Sequence, residues 1–291
     1  MIKMSNWKSS IMNKILIVAV IALWNPAIRI MAQGDLLVTP NRVVFEGNKQ
    51  NEQLNLLNMG QDTATYSISF VQRNMKEDGS FVKVEKPDSG QLFADPYLRI
   101  FPRQVTLAPR EPQVILVQFR RKANMIAGEY RSHLYFRSEQ NYKPLGLSKS
   151  DNDSTLLNVQ LIPIFGVSIP IIIRTGLVNV SATLSNLELV NQGKITQKLK
   201  FTINRKGNIS LYGDIIVKYI PLKGKPSVIA KVAGVGVYTN ISKRNIILKL
   251  NNTTTKALEK GKLSVQYISR GKLKPIVFAE AKLDIKQVRI M

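Results

Sequence analysis

TLLNVQLIPIFGVSIPIIIR, residues 155–174, is the stretch whose reading decides the fold. Leu157, Val159, Leu161, Phe165, Val167 and Ile169 share one parity, with Pro163 among them. The other parity is mixed, with Asn158, Gln160, Gly166 and Ser168 beside Ile162 and Ile164. An apolar residue at every second place over so many positions predicts extended chain with one uniformly apolar face. Strands ordinarily run to ~5–6 residues, whereas twenty residues at ~3.3 Å each reach roughly 60 Å. A strand that overshoots its own sheet has apolar side chains and ladder hydrogen bonds to offer another chain, the physical basis of recognition by strand addition. A second reading stays open: a core strand that continues into a domain linker, bent at Pro163 and Gly166.

On either side of this stretch, short alternating runs recur between turn residues every ~8–12 positions, which predicts antiparallel sandwiches. Before it the candidate strands are residues 36–45, 52–58, 63–73, 97–107, 113–121 and 129–138, with turns at Asp62, Asp78-Gly79-Ser80 and Ala108-Pro109. Residues 141–154 are polar, broken by Pro144 and Gly146, and predict a loop. Arg174-Thr175-Gly176 marks a boundary. Beyond it come residues 178–190, 195–204, 215–220, 227–232, 245–250, 263–268 and 275–285, with turns at Gly193, Lys206-Gly207-Asn208, Lys223-Gly224-Lys225 and Arg270-Gly271-Lys272. The expected architecture is all-β: two seven-stranded sandwiches in tandem with negligible helix, residues 34–175 and 176–291.

The first 33 residues predict a leader rather than fold. Lys3, Lys8 and Lys14 precede the apolar run 15–24, and Ile30-Met31-Ala32 offers a small-residue processing site, the layout of a cleavable signal peptide. No cysteine stands near Ala32, so lipid attachment there is excluded. The 291 residues contain no cysteine at all, which removes disulfides, thiolate chemistry and zinc–sulfur sites from an exported protein. Such a fold must hold by core burial, which a chain of this length can supply.

The formal net charge is +23 and is unevenly placed. Residues 34–175 hold 17 Lys and Arg against 14 Asp and Glu, whereas residues 176–291 hold 21 against 5. That field draws anionic headgroups, polyanionic glycans or acidic proteins. An export signal argues against nucleic acid, and lysines at alternate positions such as Lys198 and Lys200 equally suit a solvated sheet face.

Chemistry-bearing patterns are few. His133 is the one histidine, inside the alternating strand EYRSHLYFR, and no nucleophile or orienting partner can be assigned to it from spacing. Asp151-Asn152-Asp153 lacks the glycine and distant glutamate of a calcium loop. Neither Glu77 with Asp78 nor Glu85 with Asp88 reads as a tuned acid pair, and no glycine loop cradles phosphate. The sequence predicts no catalytic residue, no metal and no cofactor.

LLVTPNRVVFEG (36–47), the alternating strand after it, TLAPREPQVILVQF (106–119) and GEYRSHLYFR (128–137) together resemble the PapD-like periplasmic pilus chaperones. The resemblance covers most of residues 35–175; beyond, it rests on size and strand count. It implies two immunoglobulin-like domains in an L shape, without a catalytic site. Members of that family lend the long seventh strand of their first domain to a pilin subunit that lacks one. Carried over by position, the lending face is Leu157, Val159, Leu161, Pro163, Phe165 and Val167, and the proline is a departure because it removes a ladder donor. The family also anchors the subunit's terminal carboxylate with an arginine in an R-x-V-F motif and with a lysine. Arg42-Val43-Val44-Phe45 matches the motif, so Arg42 takes the arginine's place, but Pro170 stands where the lysine is expected. Arg42 acting alone, a substitute cation such as Arg174, and a branch that grips no carboxylate remain open, as does Arg42 as an edge charge that blocks aggregation. The family's interdomain ion pair carries over to Glu129 and Arg174, with Asp284 as a guess for its third member. The implied partners are a fimbrial subunit and an outer-membrane assembly pore, in the periplasm, with self-dimerisation through the unfilled strand. The alternative is an exported adhesive or structural protein whose basic half binds a polyanionic glycan or envelope surface.

Overall fold

The computed structural model describes residues 36–139, 164–192, 196–250, 260–271 and 274–285. The first half forms β1 (Leu36–Thr39), β2 (Val43–Phe45), β3 (Asn51–Asn58), β4 (Ala64–Met75), β5 (Phe81–Val84), β6 (Leu98–Phe101), β7 (Gln104–Leu107), β8 (Pro112–Phe119), β9 (Gly128–Glu139) and β10 (Gly166–Thr175). These make two sheets, ordered β1-β3-β8-β6 and β2-β10-β9-β4-β5, with β7 also pairing β4. The second half forms β11 (Val180–Gln192), β12 (Thr196–Gly207), β13 (Leu211–Pro221), β14 (Ser227–Val237), β15 (Lys243–Lys249), β16 (Gly261–Ser269) and β17 (Val277–Ile285). Its sheets are β11-β12-β15 and β14-β13-β16-β17. The fold is all-β, a pair of immunoglobulin-like sandwiches, as expected.

Among the described residues the expected seven strands match the second sandwich but not the first. Residues 36–45 and 97–107 are each two strands, split at Pro40 and Pro102. Proline gives the ladder no N–H, and at each one the chain leaves one sheet for the other: β1 pairs β3 while β2 pairs β10, and β6 pairs β8 while β7 pairs β4. The strand β5 was not expected, because FVKV is short and follows the Asp78-Gly79-Ser80 turn directly.

Each sandwich buries its own core. Val43, Phe45, Leu54, Leu56, Ile115, Val117, Leu134 and Phe136 fill the first, and Leu199, Phe201, Ile215, Val217, Val237, Val265 and Tyr267 the second. In β10 the odd residues Ile169, Ile171 and Ile173 lie in the first core and Val167 packs against it. The expected twenty-residue extended run is described only in part. Residues 155–163 lie outside the described residues, Ile164 and Phe165 precede the strand, and β10 begins at Gly166. A side chain at Gly166 would collide with the Tyr135 ring, so glycine lets that ring close over the strand's start. The ladder still reaches one residue further, because Ser138 N–H donates to the Phe165 carbonyl at 3.0 Å.

Candidate functional site

The sheet β2-β10-β9-β4-β5 turns its even-numbered β9 residues Tyr130, Leu134 and Phe136 into the first core. The odd ones, Glu129, Arg131 and His133, face the other way and are buried nonetheless, because the second sandwich covers them. Register lays these residues in rows: His133 opposite Pro170, Arg131 opposite Ile172, and Glu129 opposite Arg174. Since Val43 pairs with Ile171, Arg42 enters the sheet beside Pro170.

Glu129 is the centre of the seam. Its side chain is fully buried, and its Oε2 accepts from Arg174 Nε at 3.3 Å and, across the seam, from the Ser210 N–H at 2.9 Å and hydroxyl at 2.7 Å. Arg131 Nη1 lies 3.5 Å from its Oε1. A buried carboxylate is tolerable only with such compensation. Arg131 lies 3.9 Å over the Tyr238 ring and donates to Asn240 Oδ1 at 3.1 Å. Burial pulls its guanidinium below the usual range, and the Glu129 charge opposes that pull. Arg174 donates further to Glu46 at 3.4 Å and to the Ser210 carbonyl at 3.1 Å.

The hairpin joining β4 and β5 is a second clasp. Asn245 N–H donates to the Glu77 carbonyl at 2.7 Å and Asn240 Nδ2 to the Met75 carbonyl at 2.8 Å. Between this hairpin, β2 and the second sandwich lies a cavity of about 210 Å³, with Arg42, Phe81, Pro170, Tyr212, Tyr238 and Arg244 in its walls. Arg42 stacks 4.5 Å over Tyr212 and donates to Ser210 Oγ at 3.3 Å.

The structure therefore brings Arg42, Glu129 and Arg174 to one seam, with Pro170 in the same cavity wall as Arg42. Asp284 is not part of it: it lies exposed on β17, opposite Lys262 in register and 3.3 Å from its ammonium. The second sandwich contributes Ser210 to Glu129, not an aspartate. Of the expected lending face, Leu157, Val159, Leu161 and Pro163 lie outside the described residues. Phe165 is 42% exposed and Val167 packs on the first core. Sequence reasoning missed Phe81, Arg131, Tyr212, Tyr238 and Arg244. The one signal available was the polar residue at every second place in Glu129-x-Arg131-x-His133, which by itself reads as a solvent face. Among the described residues no group of three or more His, Cys, Asp or Glu side chains could hold a metal.

No protein-family model matches the chain, and no curated protein is recognisably similar in sequence. Solved structures of pilus and fimbrial chaperones match it across most of its length. A chaperone–tip adhesin complex of CFA/I fimbriae is 13% identical, covering 84% of this chain and 97% of that one, with a TM-score of 0.41. The YadV chaperone is 12% identical, covering 87% and 100%, with a TM-score of 0.40. The CsuC–CsuE chaperone–adhesin pre-assembly complex from Csu pili of Acinetobacter baumannii is 14% identical, covering 85% and 98%, with a TM-score of 0.42. These are likenesses of fold, at low identity.

Proposed function

We propose that this chain is an exported, non-enzymatic assembly chaperone that lends the edge of β10, with the residues before it, to a β-sandwich subunit lacking one strand. The domains are residues 34–175, which lend the strand, and 176–291, which complete the cleft; residues 1–33 are the leader.

One observation carries this reading: the edge of β10 is half used. β2 pairs with it, in parallel, over Ile171–Ile173 only. Among the described residues no strand lies on that side of Gly166–Pro170. A guest strand laid there in the direction of β2 runs straight at Arg42, and only its C-terminal carboxylate can meet that cation. Laid the other way, it would bring no terminal charge of the right sign. A charge-assisted pair of this kind contributes ~1.5–3 kcal/mol, enough to fix register. The exposed Phe165 begins the apolar row offered to the guest, continued by Pro163, Leu161, Val159 and Leu157. The Glu129–Arg174–Ser210 contacts hold the cleft's shape more than they add stability. The partner is a pilin-like subunit, with an outer-membrane pore to receive it and the periplasm as the compartment. No cofactor or nucleotide is consumed, and an unfilled edge favours self-pairing in the guest's absence.

The test is capture in 0.5 M salt with the tagged exported chain beside a Phe165→Glu variant. A small β-rich protein held stoichiometrically by the wild type and lost from F165E, at unchanged melting temperature, is the expected result. Capture indifferent to F165E, or none, overturns the reading. The second reading, a surface-binding protein, is favoured by the 21 basic against 5 acidic residues of 176–291. It predicts glycan binding that collapses by about 0.3 M salt, as screening shortens the Debye length, whereas an inserted apolar strand survives.

A further inference from the structure

We infer that Arg244 is the second cation of the cleft, so that a guest's terminal carboxylate is gripped by one arginine from each sandwich; this rests on the strand-lending reading above. Pro170 leaves β10 without a cation in the cavity wall. Arg174 does not replace it, being committed to Glu129, Glu46 and the Ser210 carbonyl. Arg131 is held by Glu129, Asn240 and the Tyr238 ring.

Arg42 and Arg244 are different. Both line the cavity, and among the described residues neither has a carboxylate within ion-pair distance. Asp78 acts on Arg244 through its charge, but its carboxylate accepts from the Ser80 N–H at 2.8 Å and hydroxyl at 2.6 Å. Arg244 is held in place: Nη1 donates to the Gly236 carbonyl, and the guanidinium lies against Gly79. Gly79 has φ +87° and no room for a Cβ beneath that guanidinium, so the hairpin is shaped to seat it. A further donor of the same group, Arg244 Nε–H, is buried and has no partner. Buried donors are almost always satisfied, and two guanidinium groups facing one cavity with no carboxylate in ion-pair contact make an unfinished anion site.

The walls say which anion. Phe81, Tyr212, Tyr238 and Met75 surround the two cations with aromatic and apolar surface, which suits a carboxylate carried on an apolar or aromatic residue. A free phosphate or sulfate would leave that surface unused. Because Arg42 precedes β2 and Arg244 lies on β15, the bound carboxylate spans the seam. Guest binding and the docking of the two sandwiches are then linked: each stabilises the other by the same factor.

The experiment uses the full chain with 15N in its arginine side chains. The probe is the peptide acetyl-Thr-Val-Thr-Val-Phe, as the free acid and as the C-terminal amide. The expected result is that the acid shifts the Nε–H resonances of both Arg42 and Arg244 and the amide shifts neither. Arg244→Gln should weaken the acid at least tenfold and leave the amide unchanged, with Arg244→Lys falling between. The wild-type resonances need no variant, so a misfolded R244Q does not blunt the test. If the acid shifts Arg42 alone and binds R244Q as tightly as wild type, Arg244 is not the second cation while the Arg42 anchor stands. If acid and amide behave alike, or the acid shifts neither resonance, the anchor and this inference fall together.

Discussion

His133 sits buried with the Phe81 and Tyr238 rings 5.7 and 6.1 Å from its own. Burial first, and then the charges of Arg131, Arg73 and Arg42, pull its pKa from 6.5 down to about 3. The unfolded chain therefore binds a proton that the folded one refuses between those values. Its contribution to stability is complete above pH 6.5 and is lost as pH falls toward 3, at up to about 1.4 kcal/mol per unit. Thermal melts from pH 7 to pH 4 should show that slope, and His133→Phe should flatten it; an unchanged slope in the variant assigns it to the carboxylates. At this scale the sequence disclosed some residues and hid others. Arg42 stood in a motif, and Glu129 and Arg174 could be carried over by position. The placement of Arg244 in the cavity wall was not legible, because it rests against a hairpin 165 residues earlier that shares no local pattern with it. The guess at Asp284 failed because an acid in an alternating strand looks the same whether it faces a seam or water.

Along β10 two environments follow one another on a single parity. Ile171 is fully buried between the sheets, while Phe165, on the same parity upstream, is 42% exposed. Ile171→Ala should cost about 2–5 kcal/mol by leaving a cavity, and Phe165→Ala should stay within about 0.5 kcal/mol, both read from urea midpoints at equal m-value. Equal losses at the two sites would mean that the exposed end is core as well. Alternation made the strand legible, and the apolar stripe made its inward face legible. Where the stripe leaves its own core was not legible, because Phe165 and Ile171 differ only in what lies opposite. The splits at Pro40 and Pro102 are the reverse case: proline announces an interruption, but which sheet receives the next residue depends on strands far away.

The two sandwiches are joined by a seam in which one fully buried acid, Glu129, serves both. Glu129→Ala would strand Arg131 without a counter-charge and leave the Ser210 donors empty. Breaking a buried pair in this way costs about 3–5 kcal/mol. Equilibrium unfolding should show that loss, together with a split of the transition if the sandwiches then melt separately; a loss under about 1 kcal/mol would show the seam to be held by its aromatic contacts instead. The paired sandwiches and the charge asymmetry were open to sequence reasoning, since each is a property of composition or spacing. That a polar stripe on β9 is buried was not, because burial there is conferred by the second sandwich.

The parallel start of β2 has one more effect. β2 fills the edge of β10 from Val43 onward, so that edge ends in a wall. A guest strand laid there as proposed would halt at a fixed place, and its side chains would be counted backward from its last residue. The first, third and fifth from the end point one way, the second and fourth the other. On the strand-lending proposal the molecule is a ruler with a stop at zero. It would select subunits by how far their apolar pattern stands from their C-terminus, and lengthening a guest's tail by a single residue would turn every one of its side chains to the wrong face.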